Sequence, residues 1–334
     1  MLRLPWFEFR APATVGEAAK ILAGEGPRAM LVAGGTDLIP NMKRRHQAPQ
    51  VLVSLRGIDE LCKVNGAFGA GVTLTALVRD RSLRERHRAL WQAASLVATP
   101  HLRNMATLGG NLCLDTRCNY YNQSHEWRQA IDYCLKKDGE TCWVATASKR
   151  CVAVSSTDTA PALIALDAKV KLVSAQGERE VALADLYRND GIDYLTRRPD
   201  EILTEVTVPA GWTSSYWKLR RRGSFDFPVL GVAAAARLAK DGTVESARIA
   251  LGAAASRPFL VEKAGEFLKG RKLTDESIAE AATIIASRAK PLDNTDLDLY
   301  WRKDVAAAFA RYALCELRGD DMTEDRRRVA RQVL

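Results

Sequence analysis

The sequence predicts an α+β protein of two domains, and three observations predict it. Glycine turns at positions 34–35 and 109–110 punctuate alternating helix-like and strand-like segments through the first 211 residues. Pro209-Ala210-Gly211 is a linker signal, beyond which runs of strand pattern come first and runs of helix pattern follow. Within the first of these regions, after the second glycine turn, five of the seven cysteines fall in the 39 positions from Cys113 to Cys151, an interruption that calls for a chemical explanation.

In chain order, Thr14 is placed to cap a helix carrying Val15, Ala18, Ala19 and Leu22, with residues 24–27 stopping it. A strand at 29–33 runs into Gly34-Gly35-Thr36-Asp37, a second strand covers 51–54, and residues 66–71 form a turn-rich ribbon. One amphipathic helix is expected over 83–97, and the second glycine turn follows at Thr107-Leu108-Gly109-Gly110-Asn111. After the cysteine-rich stretch come a helix at 159–166, a strand at 169–173, a hairpin turn at Gln176-Gly177 and a strand at 201–208. Past the linker, residues 215–221 alternate, strands at 231–238 and 244–252 flank Asp241-Gly242, and helices follow at 261–268, 276–289 and 304–317. The expected division is residues 1–211, residues 212–320 and a charged, mobile tail over 321–334.

With 334 residues and 47% apolar composition, the chain can bury a full core. No run reaches the roughly 18 apolar residues of a membrane span. Residues 1–10 have no signal-peptide pattern, and the odd cysteine count speaks for a reducing, cytoplasmic setting with free thiols. The net charge of +9 gathers partly in basic runs at 79–88, 218–222 and 326–331. Acidic residues stand in or beside two of them, so solvated helix surface or docking of an acidic redox partner is expected rather than nucleic-acid binding.

Both glycine turns suit a phosphate: glycines let backbone N–H groups approach its oxygens, and Thr36 or Thr107 adds a hydroxyl. Neither has the G-x-G-x-x-G spacing. Leu31-Val32-Ala33-Gly34-Gly35-Thr36-Asp37-Leu38, Arg103-Asn104-Met105-Ala106-Thr107-Leu108-Gly109-Gly110-Asn111-Leu112 and Asp158-Thr159-Ala160-Pro161-Ala162-Leu163 resemble the FAD-binding subunit of the xanthine dehydrogenase family of molybdenum hydroxylases. Tyr216-Trp217-Lys218-Leu219-Arg220 and Phe227-Pro228-Val229-Leu230-Gly231-Val232-Ala233 extend the resemblance, which covers nearly the whole chain. It implies a two-part FAD domain of the vanillyl-alcohol-oxidase (PCMH) type and a C-terminal α+β domain of the CO-dehydrogenase flavoprotein type. It places FAD on Leu31, Val32, Ala33, Gly34, Gly35, Thr36, Asp37 and Leu38 and on Thr107, Leu108, Gly109, Gly110 and Asn111, with Asp158 in contact and Lys218 near the flavin ring. Read without the resemblance, Lys218 is a strand-surface charge.

Family members pass from the second turn to the helix near Thr159 by a short loop, whereas this chain inserts about residues 116–154. Cys118-Asn119-Tyr120-Tyr121-Asn122-Gln123-Ser124 and Tyr133-Cys134-Leu135-Lys136 resemble the inserted loop of one branch of the family, the β subunit of 4-hydroxybenzoyl-CoA reductase, which implies one 4Fe-4S cluster on Cys118, Cys134, Cys142 and Cys151. Four soft thiolates suit such a cluster. Zinc is the rival; its sites favour paired cysteines with two to four residues between them, and only Cys113 and Cys118 have that spacing. Cys113 is expected to be a packed, unligated thiol beside the second turn, Cys62 and Cys315 core residues, and His125 a loop histidine. Tyr120, Tyr121, Trp127, Tyr133 and Trp143 would shield the site, and Lys136, Lys137, Lys149 and Arg150 would favour its reduced state.

The resemblance implies an electron-relay subunit whose partners are a molybdopterin-containing large subunit and a 2Fe-2S small subunit, in a dimer of heterotrimers. It carries no catalytic residue of its own. The reaction implied is reductive dehydroxylation of 4-hydroxybenzoyl-CoA to benzoyl-CoA, with ferredoxin as donor. Two alternatives stand beside it: the flavin subunit of an oxidative hydroxylase acting on an N-heterocycle or similar, and a structural zinc-loop protein with an acidic partner.

Overall fold

The computed structural model of the chain describes residues 3–331. Three sheets organise the described residues. The first is parallel, in the order β1-β3-β2, and joins β1 (Glu8–Arg10), β2 (Ala29–Val32) and β3 (Val51–Ser54). The helix Val15–Glu25 connects β1 to β2. Thr14 caps it by accepting from Glu17 N at 3.1 Å, and Val15, Ala18, Ala19 and Leu22 bury one stripe in a core with Val51 and Val53.

The second sheet is antiparallel, in the order β4-β7-β5-β6, from β4 (Phe68–Gly69), β5 (Lys169–Ser174), β6 (Gly177–Ala182) and β7 (Ile202–Thr207). The hairpin at Gln176-Gly177 joins β5 to β6, with Gly177 at a φ of 145°. The helix Thr159–Ala165 is buried along its whole length in the core behind this sheet.

The third sheet, β11-β10-β9-β8, is also antiparallel: β8 (Thr213–Leu219), β9 (Leu230–Leu238), β10 (Val244–Gly252) and β11 (Phe259–Leu260). Both of its faces are buried, in different cores. Tyr216, Ala233, Ala235 and Ala250 join the core that holds Leu90, Leu163 and Val206. Trp217, Val232, Ala234, Ile249 and Leu251 join a second core formed with the helices Glu262–Leu268, Asp275–Arg288 and Leu299–Arg318. The period-2 pattern near 215–221 therefore separates two cores rather than core from solvent. Residues 233–236 are all alanine, small enough for packing against both sides of β9.

Several expectations are corrected. The helix expected over 83–97 is two, Arg81–Arg86 and Arg88–Leu96, broken at His87 (φ −137°, ψ 60°). His87 is buried against the edge of Phe68, and both pieces turn apolar residues into the same core, so tertiary packing overrides the continuous pattern. The helix expected from 304 begins earlier, at Leu299, where Asp298 caps it. Much of the charged tail is ordered as the helix Thr323–Arg331 because Arg326 bonds the buried carboxylate of Glu316 and stacks 4.1 Å from the centre of the Trp217 ring; residues 332–334 of that tail lie outside the described residues. Cys62 is exposed, on the 3-10 turn Asp59–Cys62, instead of in a core, whereas Cys315 is half-buried beside the second core. Among the described residues no helix is long and apolar enough to cross a membrane.

Candidate functional site

The first glycine turn leaves the end of β2 and enters the short helix Leu38–Lys43. Gly35 has a φ of 68°, a conformation that favours glycine. Gly34 is pressed against the second turn's approach: a Cβ there would lie 1.9 Å from the carbonyl oxygen of Met105. Among the described residues, none accepts a hydrogen bond from the N–H of Gly34, Gly35 or Thr36, and all three positions are half-buried. They form an open set of donors of the kind that receives a phosphate. The carboxylate of Asp37 is held by the Arg117 guanidinium and accepts from Asn41 Nδ2 at 2.9 Å.

The second turn is built differently. Thr107 caps the helix Leu108–Leu112 by accepting from Gly110 N at 3.1 Å. Leu108 N and Gly109 N donate to Val72 O and Ala70 O, so this turn spends most of its donors on the protein. Gly109 has to be small, since a Cβ would come within 2.7 Å of Ala70 Cβ. Asn111 Oδ1 accepts from Thr157 Oγ1 at 2.9 Å, Thr159 Oγ1 at 2.7 Å and Thr159 N at 3.1 Å, tying the turn to the segment that carries Asp158.

Asp158 and Lys218 meet in this seam. Lys218 Nζ donates to Asp158 Oδ2 at 2.9 Å and to Leu96 O at 3.0 Å, and Tyr216 OH donates to Asp158 Oδ1 at 2.8 Å. Lys218 is buried and not a strand-surface charge. Burial pushes the Asp158 carboxyl up and the Lys218 ammonium down, and their mutual attraction opposes both changes. Tyr216 escaped sequence reasoning, although its spacing of two from Lys218 along a strand signals a shared face.

The insertion is closed at its neck by a two-way pairing of Arg117 and Val154, at 2.8 and 2.7 Å. Inside, Ser124 caps the helix His125–Ala130, and Asp132 and Tyr133, both at a φ of 59°, turn the chain into Cys134. Trp143 Nε1 donates to Tyr133 O and secures that turn. Cys118, Cys134, Cys142 and Cys151 are all buried and line one small cavity together with Tyr120, Tyr121, Lys136 and Trp143. The cavity brings together thiols separated by 16, 8 and 9 positions. Among the described residues no three His, Cys, Asp or Glu side chains are spaced to hold a single metal ion.

Burial pushes the Cys118 and Cys151 thiols up to about 11, with the neighbouring cysteines adding to the rise. Cys113 ends the second-turn helix, is half-buried and does not line the cavity; burial raises its thiol too. His125 likewise stands off the cavity, tilted toward Tyr133 at 6.0 Å. The residue that links the two sites is Arg117, which sequence reasoning missed. It neighbours Cys118, is buried, and reaches Asp37 and Asn41 of the first turn.

An open donor turn, a second turn tied to a buried Asp–Lys pair, and an adjoining thiol-lined cavity describe a cofactor-binding α+β protein. Residues 5–211 match the FAD binding domain in molybdopterin dehydrogenase, and residues 214–317 match the CO dehydrogenase flavoprotein C-terminal domain. The chain is 32% identical to the aldehyde oxidoreductase FAD-binding subunit PaoB of Escherichia coli K12, over 91% of this chain and 97% of that one. It is 29% identical to the nicotinate dehydrogenase FAD-subunit of Eubacterium barkeri, over 85% and 89% of the two chains. A solved carbon monoxide dehydrogenase from Hydrogenophaga pseudoflava superimposes with a TM-score of 0.75 at 27% identity, covering 93% of this chain and 97% of that one. The chain belongs to the family of FAD-binding subunits of molybdenum hydroxylases.

Proposed function

We propose that this chain is the electron-transfer subunit of a molybdenum hydroxylase complex, holding FAD on its two glycine turns and one 4Fe-4S cluster on Cys118, Cys134, Cys142 and Cys151. The observation that carries the cluster is the convergence of four cysteines, distant in sequence, on one buried cavity. The donor set fits: four soft ligands, with aromatic rings in the wall that keep water away. FAD exchanges electrons in pairs or singly and a 4Fe-4S cluster singly, so a chain with both joins two-electron and one-electron partners.

The protein's own part is binding and placement. The N–H groups of Gly34, Gly35 and Thr36 are free to meet phosphate oxygens, and the Arg117 salt bridge holds Asp37 so that the turn keeps its shape. The Leu31–Val32 end of β2 and Leu38 frame that turn, and Thr107 to Asn111 set the opposite side with Asp158 and Lys218 behind. Thiols release their protons on taking up a metal, and burial, which pushes Cys118 and Cys151 up to about 11, works against that release.

The relatives support an oxidative enzyme, because their names include aldehyde oxidoreductase and nicotinate dehydrogenase. Reductive dehydroxylation of 4-hydroxybenzoyl-CoA is the second reading and rests on the four-cysteine insertion. Similar chains serving different substrates support a substrate site on a partner, here a molybdopterin-containing large subunit, with a 2Fe-2S small subunit and a ferredoxin-type exchange partner. The domain boundaries proposed are residues 1–211 and 212–320, with the insertion at about 116–154.

The test is anaerobic purification, assay of flavin, iron and acid-labile sulfide, and low-temperature EPR before and after dithionite, with Cys134→Ser in parallel. A reduced-state 4Fe-4S signal, lost in the variant while FAD remains, is expected. Zinc without sulfide would overturn the cluster and leave a flavin subunit. Midpoint potentials then separate the two directions: a cluster above the flavin suits an electron exit, and one well below it suits an entry.

A further inference from the structure

Five cations of the insertion, Arg117, Lys136, Lys137, Lys149 and Arg150, are close in sequence to the proposed cluster ligands, and the fold treats them differently: Arg117 turns away to Asp37 and Asn41 of the first glycine turn. Lys149 and Arg150 are exposed, and Lys137 pairs with Asp138 at the surface. Only Lys136 among them lines the cysteine cavity, and its side chain is 6% exposed. Its ammonium is fully occupied. It donates to Asp115 Oδ1 at 2.8 Å, to Thr116 Oγ1 at 2.8 Å and to Gly191 O at 2.5 Å. The rings of Tyr121 and Tyr194 stand 4.8 and 5.5 Å from it.

Three of these anchors, Tyr121, Asp115 and Gly191, belong to or brace the cavity's frame. Tyr121 also lines the cavity, and its hydroxyl donates to Asp115 at 3.0 Å. Gly191 touches Cys151: its N–H donates to Cys151 O at 2.9 Å, and a Cβ on it would lie 2.6 Å from Cys151 Sγ. The lysine is therefore a fixed positive charge in the wall, and Asp115, 7% exposed, is the fixed negative charge behind it.

We propose that Lys136 is the positioning residue that sets the reduction potential of the group held by the four cysteines, and that Asp115 moderates it. This rests on the cluster reading above. One-electron reduction adds one negative charge at the site without making or breaking a bond. A cation in a dry wall stabilises that added charge, whereas solvated lysines at the surface are screened and contribute little. Asp115 opposes the effect in proportion to its own charge and also holds the ammonium in place.

The test is an anaerobic redox titration of the holoprotein with dithionite as reductant, following the iron-sulfur EPR signal and the flavin absorbance together. Asp115→Asn is expected to move the iron-sulfur midpoint to a more positive potential, and Lys136→Met to a more negative one. Lys136→Arg should stay near wild type, and the flavin midpoint should stay in place in all three. Should Lys136→Met fail to take up iron, Asp115→Asn decides alone. An unshifted iron-sulfur midpoint in Asp115→Asn, or in a Lys136→Met protein that keeps its cluster, overturns the proposal, as does an equal shift of both centres. Wild-type protein without iron and sulfide removes the cluster reading and the proposal with it, and that outcome is visible before any variant is compared.

Discussion

Asp158 and Lys218 form a buried ion pair, 2.9 Å apart, whose side chains are almost out of contact with water. Removing one partner of such a pair is worse than removing both, because the survivor keeps its desolvation cost and loses its compensation. Asp158→Ala is expected to lower stability by about 3–5 kcal/mol in urea unfolding, and Asp158→Asn combined with Lys218→Met by much less. His46 gives a pH-dependent counterpart. Burial first, and the Arg128 cation second, hold it down to about 4. Its folded value lies below its unfolded one, so the stability it contributes is present above about pH 6.5 and is lost as pH falls through 4. With allowance for solvent screening the loss is about 1–2 kcal/mol. The melting temperature of His46→Gln should fall less than that of wild type between pH 6.5 and 4. The sequence showed which residues could carry chemistry at this scale, since cysteine, lysine and aspartate announce it by type. It did not show their partners: Arg117, Asp115 and Tyr216 become informative only when distant segments meet.

The elements proposed to hold FAD are turns whose shape depends on single glycines. Gly34 is the clearest case, because any Cβ would enter the carbonyl of Met105. Gly34→Ala is expected to drive the two turns apart and to abolish FAD retention, read as lost flavin absorbance, while far-UV circular dichroism stays close to wild type. An alanine at Gly35 would instead be strained by the positive φ and should weaken flavin binding less severely. Both glycine turns were legible in the sequence because few other residues serve such a backbone. The helix break at His87 was not, because the apolar pattern of residues 83–97 runs through it and the interruption goes with tertiary packing, both pieces entering one core and His87 lying against Phe68. The ordered tail was likewise hidden, since a run of arginines in sequence looks like solvated surface until a buried acceptor is found for one of them.

That acceptor, Glu316, ties the whole molecule together. Its carboxylate accepts from Arg88 Nη2 at 2.8 Å and Gln92 Nε2 at 3.0 Å in the first domain. From the second domain it accepts from Trp217 Nε1 at 3.0 Å and from Ser215 Oγ, and from the tail it takes Arg326. Burial pushes this carboxyl up, but the hydrogen bonds and charges of Arg326, Ser215 and Arg88 carry it below the ordinary range. Glu316→Ala leaves several buried donors without an acceptor and should cost about 3–5 kcal/mol. Because the third sheet feeds two cores, unfolding of the wild-type chain should be a single transition, with flavin release and loss of helix signal coinciding. Glu316→Ala is expected to separate the two signals. Coincident transitions in that variant would mean that apolar packing alone couples the domains.

By itself the sequence determined the local features: the capped first helix, the strands, both glycine turns, the linker near Pro209 and the four cysteines with the chemistry they permit. These depend on residue type and short-range periodicity, which are written along the chain. Tertiary structure decided that β8 divides two cores, that Lys136 and not Lys149 or Arg150 faces the cysteine cavity, and that Arg117 joins that cavity to the first turn. Those outcomes depend on which distant surfaces exclude water together, and burial and charge pairing act through space, with no trace in the spacing of residues along the chain.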